Sequence, residues 1–314
     1  MMDTPRVLCI VGPTACHKTE LSIRLAKALG GEIVSADSVQ VYVGMDIGSA
    51  KPTMEERQGI PHHMIDCLPI DTPAFSVSLF REMALKAIDG ILMRGRLPIL
   101  VGGSGLYVNA LTSPFDFAVP SDAAVRNRIA AEYDASPEDV FKRLAACDPA
   151  TARRLHPHDK KRVVRALEVY EASGKPLSDY GGDFVGAQMR QETFEPVIIG
   201  LTMEREALYR RIDARVDAMF ANGLLAEAER IYHMGYKRTL PAMQSIGYRQ
   251  LFDCFDGTCT LAEAREQIQR DTRRFAKRQL TWFRRDARIE WFDATAWNED
   301  MIAEIVCCAK GRLI

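Results

Sequence analysis

The chain has 314 residues, of which 47% are hydrophobic and 26% charged, a composition that excludes a disordered or fibrous protein. Its 41 lysines and arginines nearly balance its 42 aspartates and glutamates, so the formal net charge is -1. A nucleic-acid partner would therefore have to be held by a local basic surface rather than by the field of the whole molecule.

The sequence contains no segment suited to a membrane or to export. Its apolar runs are far shorter than the ~20 residues that a helix needs to cross a bilayer. Residues 1–6 lead directly into a strand-like run, without the apolar region of a signal peptide. The eight cysteines form no C-x-x-C pair and show no zinc-ligand spacing. We therefore expect a cytoplasmic protein with reduced thiols and no membrane partner.

The first part of the chain predicts alternating strands and helices. A β-branched run ends at Gly12, a helix with apolar residues at helical spacing covers 18–29, and a second strand follows at 32–35. A helix over about 77–93 leads to a third strand at 97–101. This alternation predicts an α/β fold with a parallel sheet covered by helices.

From about residue 120 to 192 the strand pattern stops and helix-start signals replace it, including a capping-box pattern at 136–139. Afterwards the sheet pattern resumes, with three predicted elements at 195–201, 205–220 and 289–292. We therefore predict a core formed by residues 1–118 and 194–314, interrupted by an all-helical insertion domain, residues 119–193.

A glycine-containing loop separates the first predicted strand from the first helix. In such a loop the backbone N–H groups and the helix dipole can cradle a di- or triphosphate, Lys18 can reach its outer oxygens and Thr19 can bind Mg²⁺. A chance match in an ordinary turn is the alternative. The diphosphate-binding candidates are Gly12, Pro13, Thr14, Ala15, Cys16, His17, Lys18 and Thr19.

The loop departs from the usual pattern at one residue, because His17 occupies the position of the glycine before the lysine. That position normally requires a positive φ, and histidine is among the few side chains enriched there. We expect the fold to accept His17 with some strain. A neighbouring diphosphate would raise the pKa of the imidazole and favour a cation that supplements Lys18.

Because the carboxyl ends of parallel strands meet at one edge, the loop should lie beside the turns at 35–42 and 102–107. Asp37, in the first of these turns, suits a general base or a metal relay, and capping a helix N-terminus is its alternative role. The third strand ends in Gly102-Gly103, where ATP-hydrolysing proteins of this type carry an acid. This weakens an ATPase interpretation.

Two further features carry positive charge. Arg211 and Arg215 lie four residues apart on one helix stripe and can clamp a leaving pyrophosphate, although spacing alone favours a solvated helix face. Residues 270–288 hold eight basic and two acidic residues, a local charge of +6, interleaved with Phe275, Trp282 and Phe283. Such a pattern suits a phosphate backbone and stacked bases, with a solvated face as the alternative.

Nearly end to end, the chain resembles the tRNA dimethylallyltransferases, also called tRNA isopentenyltransferases. The most specific match is the run Gly44-Met45-Asp46-Ile47-Gly48-Ser49-Ala50-Lys51-Pro52. The other motifs recur in family order and lie at 12–19, 35–42, 101–107, 156–169, 245–250 and 277–283. The resemblance implies a P-loop NTPase-like core whose loop holds a prenyl diphosphate rather than ATP.

The resemblance also implies the reaction and its catalytic residues. N6 of an adenosine beside the anticodon attacks C1 of dimethylallyl diphosphate, and pyrophosphate departs with Mg²⁺. The aspartate at position 37 accepts the amine proton, and Thr19 and Arg215 stabilise the diphosphate, with Thr19 as the metal ligand. The implied partners are the tRNA anticodon stem-loop and dimethylallyl diphosphate, and we expect a monomer.

A wider set of residues is implied in tRNA binding. The loop at 37–40 meets the flipped-out base, the insertion packs against the anticodon stem, and the basic helix holds the anticodon loop. The tRNA-binding candidates are Asp37, Ser38, Val39, Gln40, Ser104, Lys161, Arg162, Arg165, Gln244, Ser245, Gly247, Tyr248, Arg249, Arg274, Lys277 and Arg278.

The chain departs from the family pattern at His17, at Cys16, where serine is usual, and at Ser104, where threonine is commoner. Three alternatives therefore stay open. A P-loop kinase of small metabolites would share the first motif but would not use the basic helix. An adenylate isopentenyltransferase acting on free AMP would share the chemistry but not the insertion. A protein silenced by His17 would bind tRNA without releasing pyrophosphate.

Overall fold

A computed structural model of the chain describes residues 4–113, 122–180 and 194–313. The chain forms two compact units, one made of Met1–Thr112 with Glu192–Ile314 and the other of Ser113–Gln191. The predicted boundary at 118/119 falls outside the described residues, and the boundary at 193/194 falls at their edge. The exact domain limits therefore stay a prediction.

The first unit contains a six-stranded sheet in the order β3-β2-β4-β1-β5-β6, in which all neighbouring strands are parallel. The predicted parallel α/β fold is confirmed. The pattern missed β3 because it has only two residues. The strands are β1 (Arg6–Val11), β2 (Gly31–Ser35), β3 (His62–His63), β4 (Leu97–Gly102), β5 (Glu195–Thr202) and β6 (Glu290–Asp293).

Helices cover both faces of this sheet, since its central strands are apolar on both sides, and Val7 to Val11 of β1 are fully buried. The helices of the first unit are α1 (Lys18–Leu29), α2 (Val77–Met93), α3 (Gly105–Thr112), α8 (Arg205–Ala221), α9 (Leu224–His233), α10 (Tyr248–Phe255), α11 (Leu261–Phe283) and α12 (Glu299–Leu313). Helices α1, α8 and α12 pack on one face, and α2 and α3 on the other.

A third apolar cluster joins α8, α9, α10 and α11 beyond the carboxyl edge of the sheet. It also receives Val41, Tyr42 and Met45 from the chain that follows β2. Because this cluster fixes loops at the edge where the strands end, it supplies a wall opposite the phosphate-binding motif.

The second unit is helical over its described residues. Its helices are α4 (Ala123–Ala135), α5 (Pro137–Cys147), α6 (Pro149–Arg154) and α7 (Lys160–Ser173). The expected capping box at the start of α5 is wrong, because the Ser136 hydroxyl donates to Asp139 Oδ2 (2.8 Å) and makes no hydrogen bond to the helix backbone. Within the described residues, no helix is both long and apolar enough to span a bilayer.

Candidate active site

A cavity of about 440 Å³ opens at the carboxyl edge of the sheet. The turns after β1, β2 and β4 contribute Thr14, Asp37 and Gly103 to its wall. Helix α8 contributes Arg215, and α11 contributes Phe275. The structure thus brings together the turns that the strand order predicted would meet.

The phosphate-binding loop, residues 12–19, has an unusual backbone. Three of its residues have positive φ: Gly12 at 141°, Ala15 at 63° and His17 at 50°. Position 12 requires glycine, since a Cβ there would lie 2.4 Å from the Leu201 carbonyl oxygen. His17 adopts the left-handed conformation that the motif predicts, and α1 begins directly after it. The fold therefore accepts the departure from glycine.

Four hydrogen bonds tie consecutive residues of this loop to the protein. Each involves a side chain, and the partners come from α1, α8, α11 and β5. The contacts are Lys18 Nζ to Pro13 O (2.6 Å), Thr14 N to Gln279 Oε1 (2.9 Å), Arg211 Nε to Ala15 O (3.0 Å) and Cys16 Sγ to Thr202 O (3.5 Å). These bonds hold the backbone of the loop in place.

Burial lowers the pKa of Lys18 to about 8, and the nearby cation of Arg215 acts in the same direction. The negative charge of Asp37, which lines the same cavity, opposes this shift. Burial also lowers the pKa of Arg215, which is half-buried and lines the cavity beside Thr19. A dianionic group in this position would compensate cations that the protein has partly desolvated.

Arg211 contacts the loop, and Arg215 lines two cavities beside it. Arg211 bonds the Ala15 carbonyl, although much of its side chain is exposed, and both arginines line a second cavity beside Lys18 and Thr19. Neither residue therefore belongs to a purely solvated helix face. The arrangement supports the pyrophosphate clamp that the helix spacing suggested.

The imidazole of His17 contacts protein groups on two sides. Its Nδ1 lies 3.0 Å from Glu20 Oε2, and its ring stacks on Trp297 with centroids 4.5 Å apart. Burial lowers the pKa of His17, against the opposing effect of the Glu20 hydrogen bond. Burial thus disfavours the imidazolium form of His17, and its role as a cation that supplements Lys18 beside a diphosphate stays a prediction.

Asp37 both shapes a turn and lines the cavity. Its Oδ1 accepts hydrogen bonds from the N–H groups of Val39 (2.8 Å) and Gln40 (3.2 Å), and the residue stays half-exposed. Ser38 is exposed and lines the cavity with Val39. The Gln40 amide is engaged within the protein, donating to Ala50 O (3.2 Å) and accepting from Ser35. The alternative role as a helix cap is wrong, because Asp37 stabilises a turn and no helix begins there, and its role in catalysis stays a prediction.

The segment before α10 supplies another part of the wall, through Gln244, Ser245 and Gly247. Tyr248 is fully buried, and its hydroxyl donates to Glu227 Oε1 (2.6 Å). The Tyr248 side chain therefore belongs to the core, and the prediction that it contacts tRNA directly is wrong. It instead positions Glu227. Arg249 pairs with Asp271 of α11 at 3.0 Å.

Helix α11 presents two different faces. Arg274, Lys277 and Arg278 are exposed, whereas Phe275 and Gln279 line the cavity. The expected stacking surface is only partly correct. Phe283 is buried in the core, and Trp282 packs so closely on Gly105 that a Cβ there would lie 2.2 Å from the indole. Of the three aromatic residues, only Phe275 lines the cavity.

The remaining predicted tRNA contacts lie elsewhere. Ser104 precedes α3, and its carbonyl accepts from the N–H of Tyr107 (2.9 Å). On α7 of the second unit, Lys161 is exposed, Arg162 pairs with Asp159 (3.2 Å) and Arg165 pairs with Glu168 (3.0 Å). These ion pairs partly neutralise the positive charge of Arg162 and Arg165 on α7.

Comparisons with known proteins identify the family of the chain. A family model described as IPP transferase matches residues 40–286. The tRNA dimethylallyltransferase of Geobacillus kaustophilus is 50% identical over 294 residues, covering 92% of this chain and 91% of the relative. That of Pelotomaculum thermopropionicum is 46% identical over 310 residues, covering 98% and 97%. The chain belongs to the IPP transferase family.

Solved structures of this IPP transferase family have the same fold. The tRNA isopentenylpyrophosphate transferase of Bacillus halodurans aligns with a TM-score of 0.74 at 43% identity, covering 99% of this chain and 97% of its own. A eukaryotic dimethylallyltransferase acting on tRNA aligns with a TM-score of 0.82 at 28% identity, covering 98% and 79%. The predicted family is confirmed.

Two site residues of this IPP transferase were not singled out from sequence. Gln279 bridges the site, accepting from Thr14 N and donating to Gly103 O (3.0 Å). Glu227 is buried and accepts hydrogen bonds from the N–H groups of Asp46, Ile47 and Gly48. The motif at 44–52 identified the loop but gave no signal for its distant carboxylate partner.

Proposed function

We propose that this enzyme transfers the dimethylallyl group of dimethylallyl diphosphate to N6 of the adenosine 3' to the anticodon of tRNA, releasing diphosphate. Membership of the IPP transferase family and the high identity to tRNA dimethylallyltransferases support tRNA prenylation. The observation that carries the site assignment is that Lys18, Arg215 and Asp37 line one cavity.

The diphosphate end of this cavity is the loop at 12–19. Its backbone N–H groups, Lys18 and Arg215 would hold the diphosphate, with Arg211 supporting the loop at Ala15. As the bond between C1 and the diphosphate oxygen breaks, negative charge accumulates on the leaving group. Cations that are already fixed and partly desolvated stabilise this charge more effectively than mobile surface cations do.

The acceptor end is the turn at Asp37. N6 of adenosine forms a bond to C1 of the dimethylallyl group, and Asp37 accepts the proton that N6 loses. An exocyclic amine is a poor nucleophile, so its orientation in a pocket supplies much of the rate. The base must leave its stack to enter such a pocket. The turn bonds from Val39 and Gln40 to Oδ1 hold the carboxylate in place.

Mg²⁺ fits this site as a companion of the diphosphate rather than as a separately caged ion. The described residues contain no group of three histidine, cysteine or acidic side chains around one point. Mg²⁺ commonly binds through one or two protein oxygens together with substrate phosphates and water. The exposed Thr19 hydroxyl would be its protein ligand, and the ion would offset charge on the departing diphosphate.

The tRNA would be held by the exposed cations of α11, Arg274, Lys277 and Arg278, by the segment at 244–249, and by the basic face of α7. Because exposed arginines and lysines contact phosphates without reading the bases, they would set affinity and register. We further propose that the enzyme acts as a monomer in the cytoplasm.

The test is to offer the enzyme labelled dimethylallyl diphosphate with Mg²⁺ and either an unmodified anticodon stem-loop, AMP or no acceptor. Prenyl transfer to the RNA, with transfer to AMP at least about 10²-fold slower, is the expected result. Preferred transfer to AMP would favour the adenylate enzyme. Consumption of ATP without tRNA would favour a kinase, and RNA binding without pyrophosphate release would favour a silenced protein.

A further inference from the structure

His17 has a backbone conformation that is costly for a residue other than glycine, and other side chains of this chain contact it there. His17 has φ 50° and ψ 10°, a left-handed conformation that glycine adopts freely and that a side chain makes costly. The conformation sets the direction of the backbone at the start of α1, immediately before Lys18 and Thr19. A residue that relaxed here would displace both groups from the cavity.

Two side chains contact the imidazole of His17. Trp297 stacks on the ring at an interplanar angle of 15°, and Glu20 Oε2 lies 3.0 Å from Nδ1. We call Trp297 and Glu20 the His17 clamp. Glu20 lies in the first turn of α1, so it can hold the ring only relative to its own helix. Trp297 lies 280 residues further along the chain and fixes the ring to a different element.

The segment that carries Trp297 is itself firmly anchored. It follows a short 3-10 helix, Ala294–Ala296, whose first residue is fully buried. Asp293 caps this helix by accepting from Thr295 N (3.0 Å). The Thr295 hydroxyl oxygen accepts in turn from Glu204 N (2.8 Å) at the start of α8. The indole is thus tied to the helix that carries Arg211 and Arg215.

We propose that Trp297 is a positioning residue for the phosphate-binding loop, holding His17 in the left-handed conformation that glycine would otherwise supply. The inference rests on the proposed binding of diphosphate by residues 12–19. Trp297 acts through His17 and touches neither substrate. The structure therefore predicts that the two residues are energetically coupled: when position 17 needs no support, the indole is dispensable for diphosphate binding.

The test is a double-mutant cycle that measures binding of inorganic pyrophosphate with Mg²⁺ by calorimetry, alongside the melting temperature. Trp297→Leu should weaken binding about fivefold in the parent, the scale of one lost aromatic pair. In the His17→Gly background the same change should cost less than about twofold. Trp297→Phe, which keeps a stacking ring, should restore most of the lost affinity in the parent.

Trp291→Leu is the matched control, because Trp291 is a half-buried tryptophan of β6 that packs on the opposite face of the sheet. It should lower the melting temperature without changing pyrophosphate affinity. If Trp297→Leu does not fold, Glu20→Gln replaces it, and its smaller loss should likewise disappear with His17→Gly.

Equal losses of affinity in both backgrounds would overturn the proposal and make Trp297 an ordinary packing residue. An unchanged affinity in Trp297→Leu would overturn it as well. A parent protein that does not bind pyrophosphate would contradict the proposed function of the loop, and with it this inference. Binding by the parent together with uncoupled losses would contradict the inference alone.

Discussion

The two charged regions of the first unit differ in how their cations are held. At the phosphate-binding loop, Lys18 is buried enough to lower its pKa to about 8, and Arg215 is half-buried beside it. On the outer face of α11, Arg274, Lys277 and Arg278 are exposed. The first set is desolvated and fixed in one geometry, whereas the second remains solvated.

We therefore expect the cations at the loop to act in the chemical step and those on α11 to act in tRNA binding. A fixed, desolvated group acts on one position of one substrate, so removing it affects turnover or diphosphate binding strongly. Solvated cations act together on a phosphate backbone, so each contributes a modest, salt-dependent share of affinity. Substitutions in the two regions should therefore differ in size and in the kinetic constant that changes.

The largest effect is expected at Asp37. Asp37→Ala should lower turnover by roughly 10²-fold or more while tRNA affinity changes little, because a positioned base contributes about that much to rate. Asp37→Asn is the matched control, since its amide oxygen can still accept the turn bonds from Val39 and Gln40 but cannot take the proton. Near-normal turnover in the asparagine variant would exclude Asp37 as the base.

Gln279 should show the next largest effect. Its side chain joins the Thr14 N–H to the Gly103 carbonyl, so Gln279→Leu leaves one partly buried and one buried group unpaired. We expect KM for dimethylallyl diphosphate to rise about tenfold, with tRNA affinity little changed. Lys277→Leu on the exposed face of the same helix serves as the control. In steady-state kinetics it should weaken the affinity for tRNA and leave KM for dimethylallyl diphosphate little changed.

The affinity for pyrophosphate should depend on pH through Lys18. Burial favours neutral Lys18 in the free protein as the pH rises through about 8, whereas a bound diphosphate favours the charged form. Binding therefore takes up a proton in this range, and affinity should fall by up to about tenfold per pH unit above pH 8. Calorimetry from pH 7 to 9 measures this, and Lys18→Met should flatten the profile. If Lys18→Met leaves the pH dependence of pyrophosphate affinity unchanged, a group other than Lys18 takes up the proton.

The smallest effect per residue is expected on α11. Removing the charges of Arg274, Lys277 and Arg278 should weaken tRNA binding and reduce its salt dependence by about one slope unit for each lost phosphate contact. The affinity for dimethylallyl diphosphate should stay unchanged. If titrations at several salt concentrations give the same slope for variant and parent, this face of α11 is exposed to solvent and does not contact tRNA.

The parts predictable from sequence were those encoded by local patterns. Strand and helix periodicity gave the parallel sheet and α2, and the motif at 12–19 predicted the positive φ of His17. Long-range contacts were not predictable. Nothing adjacent to Gln279 or Glu227 indicates partners in the loops they hold, and the spacing of α11 does not distinguish buried Phe283 from cavity-lining Phe275. Tyr248 matched a motif, but only the fold showed that it is buried.

The central claim, that diphosphate and adenosine meet in one cavity between Lys18 and Asp37, is tested most directly by a stoichiometric product analysis. Unmodified tRNA is incubated with dimethylallyl diphosphate and Mg²⁺, the prenylated nucleotide is mapped by mass spectrometry, and released pyrophosphate is counted. We predict one prenyl group on N6 of the adenosine 3' to the anticodon for each pyrophosphate released, and both products formed at least about 10²-fold more slowly with Asp37→Asn. Prenylation by that variant at the parental rate, or pyrophosphate released without a prenylated nucleotide, would contradict this claim.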